Sequence, residues 1–413
     1  MNDKRIVWLL LLMIFGAGNP RIWELSANYD SAEEFYSALR DKQVDGLNQK
    51  EKELIEKLSE NDAQRVLDNC AQKGINVYCY ESEGYPERLK AIADPPAVLF
   101  SYGNLDFLDH ISTIAVVGTR TPSEYSVSVA KTLSAQMIDR DIVLCSGFAT
   151  GIDQIANLTS LEKGKPTVAV CATPLDYDYP ADSYDTKMEI AKNGAVISEH
   201  IPGSRINHNS FKLRNRILVG ISQGVVFIEA SMESRGLDNY IQATAQGKPV
   251  FVVPPRDITD KRYFGQRYLL RSECVPLFNA DDVVGRLALE GFDSFAFTKS
   301  FGDFSLPVED SQFYSEQEIS VRSKAAVKHS DKSDAQAEEP QTSPAIAQID
   351  YSQLDETESA ICKVLEEGKA LVDTICSKTG IDVSEVLSAL TMLELEGIIT
   401  RLPGNQFEII NQS

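Results

Sequence analysis

The chain of 413 residues carries 40 lysines and arginines against 61 aspartates and glutamates, a formal net charge of −21, and 43% of its residues are hydrophobic. This length allows two or three domains, and the hydrophobic fraction is that of a soluble globular protein. The charge excludes a uniformly basic surface for nucleic acid. A local basic cleft remains compatible with it, because salt screens electrostatic fields beyond roughly 10 Å.

The seven cysteines are scattered, odd in number and without Cys-x-x-Cys spacing. This pattern predicts reduced core thiols of an intracellular protein, with neither a disulfide framework nor a zinc site. The chain also lacks Ser-His-Asp or metal-ligand spacing. We therefore predict no catalytic site, no metal and no cofactor.

The first residues have the outline of a secretory signal, since Lys4-Arg5 precedes an apolar run at 6–15 and then Gly16-Ala17-Gly18. The run is too short to span a membrane. The glycines can equally connect two short helices, and the cysteine pattern argues against export. We therefore predict that residues 6–15 form a buried helix and not a secretory signal. This helix would belong to a small helical domain that spans residues 1–74.

Six short apolar runs then alternate with helical patterns. They are residues 114–117, 142–145, 167–171, 195–198, 225–228 and 250–253. Such runs, separated by helix-length segments, predict an α/β, Rossmann-like domain over residues 75–298, whose parallel sheet is covered on both faces. The dinucleotide fingerprint Gly-x-Gly-x-x-Gly is absent after the first run, where Gly118-Thr119-Arg120 stands, which argues against a dehydrogenase.

The last third of the chain changes in composition. Residues 299–348 are polar with almost no apolar periodicity, which predicts a flexible linker. Residues 349–413 combine three helical patterns with two short strands around residues 402–405, which indicates a winged-helix domain. Carboxylates outnumber cations there, so a protein contact is favoured over duplex reading.

Candidate binding residues lie at the carboxyl ends of the predicted strands, where ligand sites form in open α/β sheets. Residues 142–153 are typical of a strand, a tight turn and a helix, and the Ser146-Gly147 turn can offer backbone N–H groups to a phosphate. Thr150 and Asp153 also stand at capping-box spacing, which needs no ligand.

Neighbouring loops supply cations. Arg120 follows the first strand, and Lys212 and Arg216 are four residues apart in a helix predicted to begin near Asn209. The two would share a face at the helix N-terminus, which suits a phosphate. A solvated basic helix face is the structural alternative.

Carboxylates at the strand ends allow a second interpretation. Glu199 and Glu229 can bind a ribose hydroxyl, as in a nucleotide-binding enzyme of the phosphoribohydrolase type, or neutralise a neighbouring arginine. The Pro-Gly-Gly loop of that enzyme group does not follow residues 225–228, so the enzyme is kept as the alternative hypothesis. Asp176 and Asp178, two residues apart in a proline-bounded loop, are typical turn formers.

The motifs also form an ordered set. They are Tyr85-Pro86, Pro-Pro-Ala-Val-Leu-Phe at 95–100, Gly118-Thr119-Arg120, Ser-Gly-Phe-Ala-Thr-Gly-Ile-Asp at 146–153, Leu175-Asp176 with Tyr179-Pro180, Ser198-Glu199, Phe-Lys-Leu-Arg-Asn-Arg at 211–216, and Val253-Pro254. This set resembles the DNA-processing protein A family (DprA, also called Smf). The resemblance is strongest over residues 75–298, and the N-terminal small helical domain, of the SAM or helix-hairpin-helix type, and the C-terminal winged helix agree with it in order.

The resemblance implies a cytoplasmic, non-enzymatic protein without membrane contact. It would bind and protect single-stranded DNA, help to load the RecA recombinase during natural transformation, and form homodimers through its Rossmann-like domain. The implied DNA pocket uses Arg120, Ser146, Gly147, Lys212 and Arg216, and we include Gly118, Arg214 and Arg235. Where the family usually has Ser-Gly-Ser and a following Thr, this chain has Ser-Arg-Gly-Leu-Asp at 234–238, so that Arg235 adds a phosphate contact and Asp238 adds a repelling charge.

Overall fold

The computed structural model describes residues 3–206, 210–272, 274–289, 354–366, 368–381, 386, 389–390, 393, 398–402 and 406–409. The chain divides into two compact units, residues 1–298 and 299–413. The predicted linker at 299–348 lies outside the described residues. Six of the seven cysteines are buried and Cys376 is half-buried, which agrees with the prediction of mostly core thiols.

Five helices open the first unit. They are α1 Lys4–Phe15, α2 Arg21–Ser26, α3 Ala32–Arg40, α4 Gln49–Lys57 and α5 Glu60–Gln72. The side chains of α1 from position 7 to position 15 are buried apart from the half-buried Met13, so the prediction of a buried helix is confirmed. No helix in the described ranges is both long and apolar enough to cross a bilayer.

Nine strands form the central sheet of this unit. They are β1 Asn76–Cys79, β2 Val98–Gly103, β3 Thr113–Val117, β4 Val143–Ser146, β5 Thr167–Val170, β6 Ala195–Ser198, β7 Gly224–Phe227, β8 Val250–Val252 and β9 Val275–Pro276. Their order is β1-β2-β6-β5-β4-β3-β7-β8-β9. The pairs β1-β2 and β2-β6 are antiparallel and all other neighbours are parallel. The six predicted runs coincide with β3 to β8, and the Rossmann-like prediction is confirmed.

Helices cover both faces of the sheet. They are α6 Glu87–Lys90, α7 Glu124–Ile138, α8 Ile152–Glu162, α9 Tyr184–Asn193, α10 Ser210–Ile221, α11 Asp238–Ala245, α12 Phe264–Arg271 and α13 Ala280–Leu289. Side chains of β3 alternate between two cores, with Ile114 and Val116 on one face and Ala115 and Val117 on the other. The strand order reverses between β3 and β7, and such a reversal is where ligands bind in open α/β sheets.

The N-terminal helices share a core with the sheet. Leu9 of α1 and Phe35 of α3 belong to the same buried cluster as Phe100 of β2 and Val196 of β6. The predicted boundary at residue 74 therefore separates two parts of one compact unit.

The second unit contains a small antiparallel sheet. Its described elements are α14 Glu356–Glu366, β10 Ala370–Leu371, α15 Val372–Thr379, β11 Ile399–Leu402 and β12 Gln406–Ile409, and the strand order is β10-β12-β11. Ile361, Ile375 and Phe407 lie in its buried core. The two predicted strands form a hairpin, as in a winged helix.

Candidate nucleic-acid interface

Backbone hydrogen bonds tie together the loops that follow β3, β4 and β7. The N–H of Thr119 donates to the carbonyl oxygen of Glu229 (2.9 Å), and the N–H of Ile152 donates to that of Thr119 (3.2 Å). Gly118 permits this approach, because a Cβ there would lie 2.6 Å from Cγ1 of Ile152. Gly151 has φ +81°, a conformation that favours glycine. Gly118 thus allows the loop after β3 to pack closely against the start of α8.

Ser146 ends β4 and is completely buried. Its hydroxyl donates to Oδ1 of Asn157 at 2.5 Å and accepts the N–H of Phe148 at 3.1 Å. Nδ2 of Asn157 in turn donates to Oγ1 of Thr167 at 2.8 Å. The Ser146 side chain therefore supports the turn from beneath and is not part of its surface.

The N–H of Gly147 has a partner inside the chain. It donates to the carboxylate of Asp153 at 2.9 Å. The N-cap of α8 is Gly151, which makes no side-chain cap, so the predicted capping box of Thr150 and Asp153 is wrong. The Asp153 carboxylate instead accepts a hydrogen bond from the turn that precedes the helix. The prediction of a free backbone donor at Gly147 is wrong too, since the buried carboxylate of Asp153 accepts its N–H.

Burial raises the pKa of Asp153 to about 6, although the Arg214 guanidinium and the N–H groups of Ala149 and Gly147 oppose the shift. The folded chain therefore binds a proton here between about pH 4 and pH 6, where the unfolded chain has lost it. The contribution of Asp153 to the free energy of unfolding consequently falls as the pH rises through this window, by at most about 1.4 kcal/mol per pH unit.

Asp153→Asn is expected to remove this dependence. The free energy of unfolding of the variant minus that of the wild type should rise between about pH 4 and pH 6 and be constant above about pH 7. Urea unfolding of both proteins across this range measures the difference. A difference that does not change with pH would contradict the raised pKa.

Arg214 reaches under the same turn from α10. Only 9% of its surface is exposed, and its Nη1 donates to the carbonyl oxygens of Gly147 and Val170. A Cβ at position 147 would collide with the guanidinium. Burial lowers the pKa of Arg214, and the nearby Asp153 carboxylate opposes this. Arg214 therefore fastens α10 to the ends of β4 and β5, and Gly147 leaves the space for it.

Arg216 forms a buried ion pair. Its Nη2 donates to both carboxylate oxygens of Glu199 at 2.7 and 2.6 Å, and each residue is 6% exposed. Its Nε and Nη1 are buried without a hydrogen-bond partner among the described residues. Lys212, one turn earlier, is exposed. The predicted pair of phosphate-facing cations is thus split, because Glu199 neutralises one of them.

An exposed cation and two aromatic rings meet at the carboxyl ends of the parallel strands, which form the carboxyl edge of the sheet. The Arg120 side chain is exposed, and its guanidinium lies 5.7 Å from the centre of the Phe211 ring. The Tyr179 ring lies 5.5 Å from that of Phe211 at an interplanar angle of 78°. Partial burial and the like charge of Arg120 lower the pKa of Arg235, a second cation whose charge acts on this region. We call Arg120, Tyr179, Phe211 and Arg235 the edge cluster.

Comparison with known proteins identifies the family. Residues 76–288 match the family model described as DNA recombination-mediator protein A, and residues 338–405 match the DprA winged helix domain. The first match alone covers more than half of the chain. The chain belongs to the DNA recombination-mediator protein A family.

Several known proteins are similar to this chain in sequence or structure. DNA processing protein DprA of Bacillus subtilis is 33% identical over 223 residues, which cover 54% of this chain and 75% of the relative. Protein Smf of Synechocystis is 24% identical over 98% of this chain and 99% of its own length. The X-ray structure of DprA from Streptococcus pneumoniae superposes with a TM-score of 0.61 at 26% identity, covering 69% of this chain and 98% of that structure.

Both acids of the enzymatic alternative have structural partners in this family member. Glu229 is buried and accepts the N–H and the hydroxyl of Ser123 at 3.0 and 2.7 Å. Glu199 holds Arg216, the neutralising role that the sequence allowed. Asp178 accepts the N–H groups of residues 182 and 183, as a turn former should.

Asp176 differs from that expectation. Its carboxylate pairs with Nζ of Lys73 at 2.5 Å and accepts the N–H of Gly203 at 3.0 Å. Asp176 therefore joins the C-terminal end of α5 to the loops that follow β5 and β6.

Sequence reasoning did not single out Tyr179 and Phe211 as site residues. Both stood in the motifs that carry the family resemblance, but as marks of likeness only. The signal available was an aromatic residue next to a cation in a strand-end loop, which is typical of single-strand binding.

Proposed function

We propose that this protein binds single-stranded DNA at the edge cluster and with Lys212. The observation that supports this most directly is the exposed guanidinium of Arg120 over Phe211, with Tyr179 edge-on to the same ring. Cations follow phosphates and aromatic rings stack on bases, so this combination binds single strands without reading their sequence.

The buried residues of the predicted pocket have a supporting role in this proposal. Ser146, Gly147, Arg214 and Arg216 hold the loops in place, and Gly118 lets them approach. Contacts with phosphate then come from the exposed cations, Arg120, Lys212 and Arg235. This division of roles follows from burial, because a guanidinium that lies beneath a turn cannot reach a strand bound above it.

We further propose that the protein is a cytoplasmic recombination mediator, which protects incoming single strands and helps to load RecA in natural transformation. Membership in the DNA recombination-mediator protein A family supports this role. RecA loading is measured as ATP hydrolysis by RecA on DNA already covered by single-strand-binding protein. An unchanged rate in the presence of this protein would contradict the loading role.

We also propose a homodimer formed through the Rossmann-like domain. Ile241 of α11 and Tyr268 of α12 are 59% and 48% exposed. The rings of Tyr240 and Tyr268 lie 6.3 Å apart, so the two helices present one apolar surface of the kind that marks protein interfaces. Light scattering should give twice the chain mass of 45.7 kDa. A monomer at micromolar concentration would contradict the dimer.

Binding of labelled oligo-dT, followed by fluorescence anisotropy at increasing salt, tests the function. Three exposed cations predict a slope of about −2 in log affinity against log salt, at roughly −0.7 per phosphate neutralised on a single strand. Binding that does not depend on salt would contradict a phosphate-following site.

A further inference from the structure

Lys187 of α9 is a buried ammonium group that the proposed DNA contacts do not use. It is 1% exposed, although lysine is strongly hydrated and rarely fully buried. Its Nζ donates to the carbonyl oxygens of Tyr177 at 2.5 Å and Leu175 at 3.3 Å. In the part of the chain that the structure describes, it forms no ion pair. Asp178, whose pKa the Lys187 charge helps to lower, is exposed to water.

Stability alone does not account for this group. A buried charge with no carboxylate partner among the described residues costs free energy relative to an apolar side chain of the same length, which would fill the same space. Methionine is such a side chain. The cost of burial therefore has to be balanced by what the ammonium group holds in place.

The ammonium group joins the two loops that flank the edge cluster. Its Nζ lies 5.9 Å from the centre of the Phe148 ring. Phe148 follows Gly147 and has φ 54°, an uncommon backbone conformation for a residue other than glycine. Lys187 thus contacts the loop after β4 through a ring and the loop after β5 through two carbonyl groups.

The second loop leads directly to the edge cluster. The carbonyl oxygen of Tyr177 that binds Lys187 also accepts the N–H of Tyr179 at 3.0 Å. The ring of Tyr179 then lies against Phe211, beneath Arg120. A chain of direct contacts therefore runs from the buried ammonium group to the half-buried rings of Tyr179 and Phe211.

We propose that Lys187 is a positioning residue for the DNA site: it holds the turn at residues 177–179 against Phe148 and so sets the Tyr179 ring against Phe211. The inference rests on the proposed binding of single-stranded DNA at the edge cluster. It assigns to Lys187 no contact with DNA, since the side chain is buried.

Lys187→Met tests the inference. The variant should keep or raise the thermal midpoint, because a buried charge is replaced by an apolar side chain of similar length. It should weaken oligo-dT binding about fivefold, a loss comparable with that of one base-stacking contact. Lys192→Met is the matched control, since Lys192 is an exposed lysine of the same helix, and it should change neither quantity.

A double-mutant cycle with Tyr179→Ala separates positioning from a general structural effect. If Lys187 acts through Tyr179, Lys187→Met should change affinity less than about twofold in the Tyr179→Ala background. Effects that multiply independently, or a folded Lys187→Met protein with wild-type affinity, would overturn the inference. If Lys187→Met does not fold, Lys187→Gln, which keeps a polar end without the charge, takes its place in the cycle.

Different results would contradict the proposed binding of DNA at the edge cluster. A wild-type protein that does not bind oligo-dT, or an Arg120→Ala variant with wild-type affinity, overturns DNA binding at the edge cluster and the role of Lys187 with it. Normal binding that depends on Arg120, combined with independent effects in the cycle, overturns the role of Lys187 alone.

Discussion

Replacing Arg216 by alanine is expected to lower the free energy of unfolding by about 3–5 kcal/mol. The substitution leaves the carboxylate of Glu199, which is 6% exposed, buried without its cation. Urea unfolding measures the loss. The matched control is Arg262→Ala, because Arg262 and Asp260 form an ion pair whose side chains are 59% and 25% exposed, and its loss should cost less than about 1 kcal/mol.

Removing both members of the buried pair distinguishes an unpaired charge from a loss of packing. Arg216→Met combined with Glu199→Leu should restore stability to within about 2 kcal/mol of the wild type, since no charge is then left alone. An Arg216→Ala protein as stable as the wild type would contradict the ion pair. DNA binding by Arg216 variants has to be read beside their stability, because a destabilised edge weakens binding without any lost contact.

Replacing Arg120 and Lys212 together by alanine is expected to weaken oligo-dT binding about 10- to 100-fold, because a phosphate contact and a cation beside a stacking ring are both lost. Both side chains are exposed, so the thermal midpoint should stay within a few degrees of the wild type. The salt slope should also become shallower by about 1.4, at roughly 0.7 for each phosphate contact.

Lys163→Ala combined with Lys165→Ala is the control for this pair. Both lysines are exposed and precede β5, at the opposite end of the parallel strands from the edge cluster. The same change of charge there should leave affinity within about twofold. Equal losses in the two variants would show that net charge and not the edge cluster governs binding.

The sheet could be predicted from sequence because buried parallel strands are short, continuous apolar runs. Six such runs became β3 to β8. The strand-end position of Arg120 followed from the same pattern, as did the carboxyl-edge location of the candidate site. The order of the motifs indicated the family, which the family models confirm.

Other features depended on residues far apart in the chain. From the sequence, Arg214, Arg216 and Lys212 were expected to be similar cations. In the structure Arg214 binds the carbonyl groups of residues 147 and 170, and Arg216 binds Glu199. Similarly, nothing local marked Lys187 as buried, since a lysine in a polar helix is usually exposed.

The sequence by itself thus determined the fold class and the family, and it predicted the candidate site at the carboxyl ends of the strands, because apolar periodicity and motif order are local properties of the chain. Only the tertiary structure decided which polar residues of that edge face solvent. Arg120 and Lys212 are exposed, whereas Ser146 and Arg216 are buried with partners. Burial and pairing depend on which distant loops pack together, and helical or strand spacing carries no record of that packing.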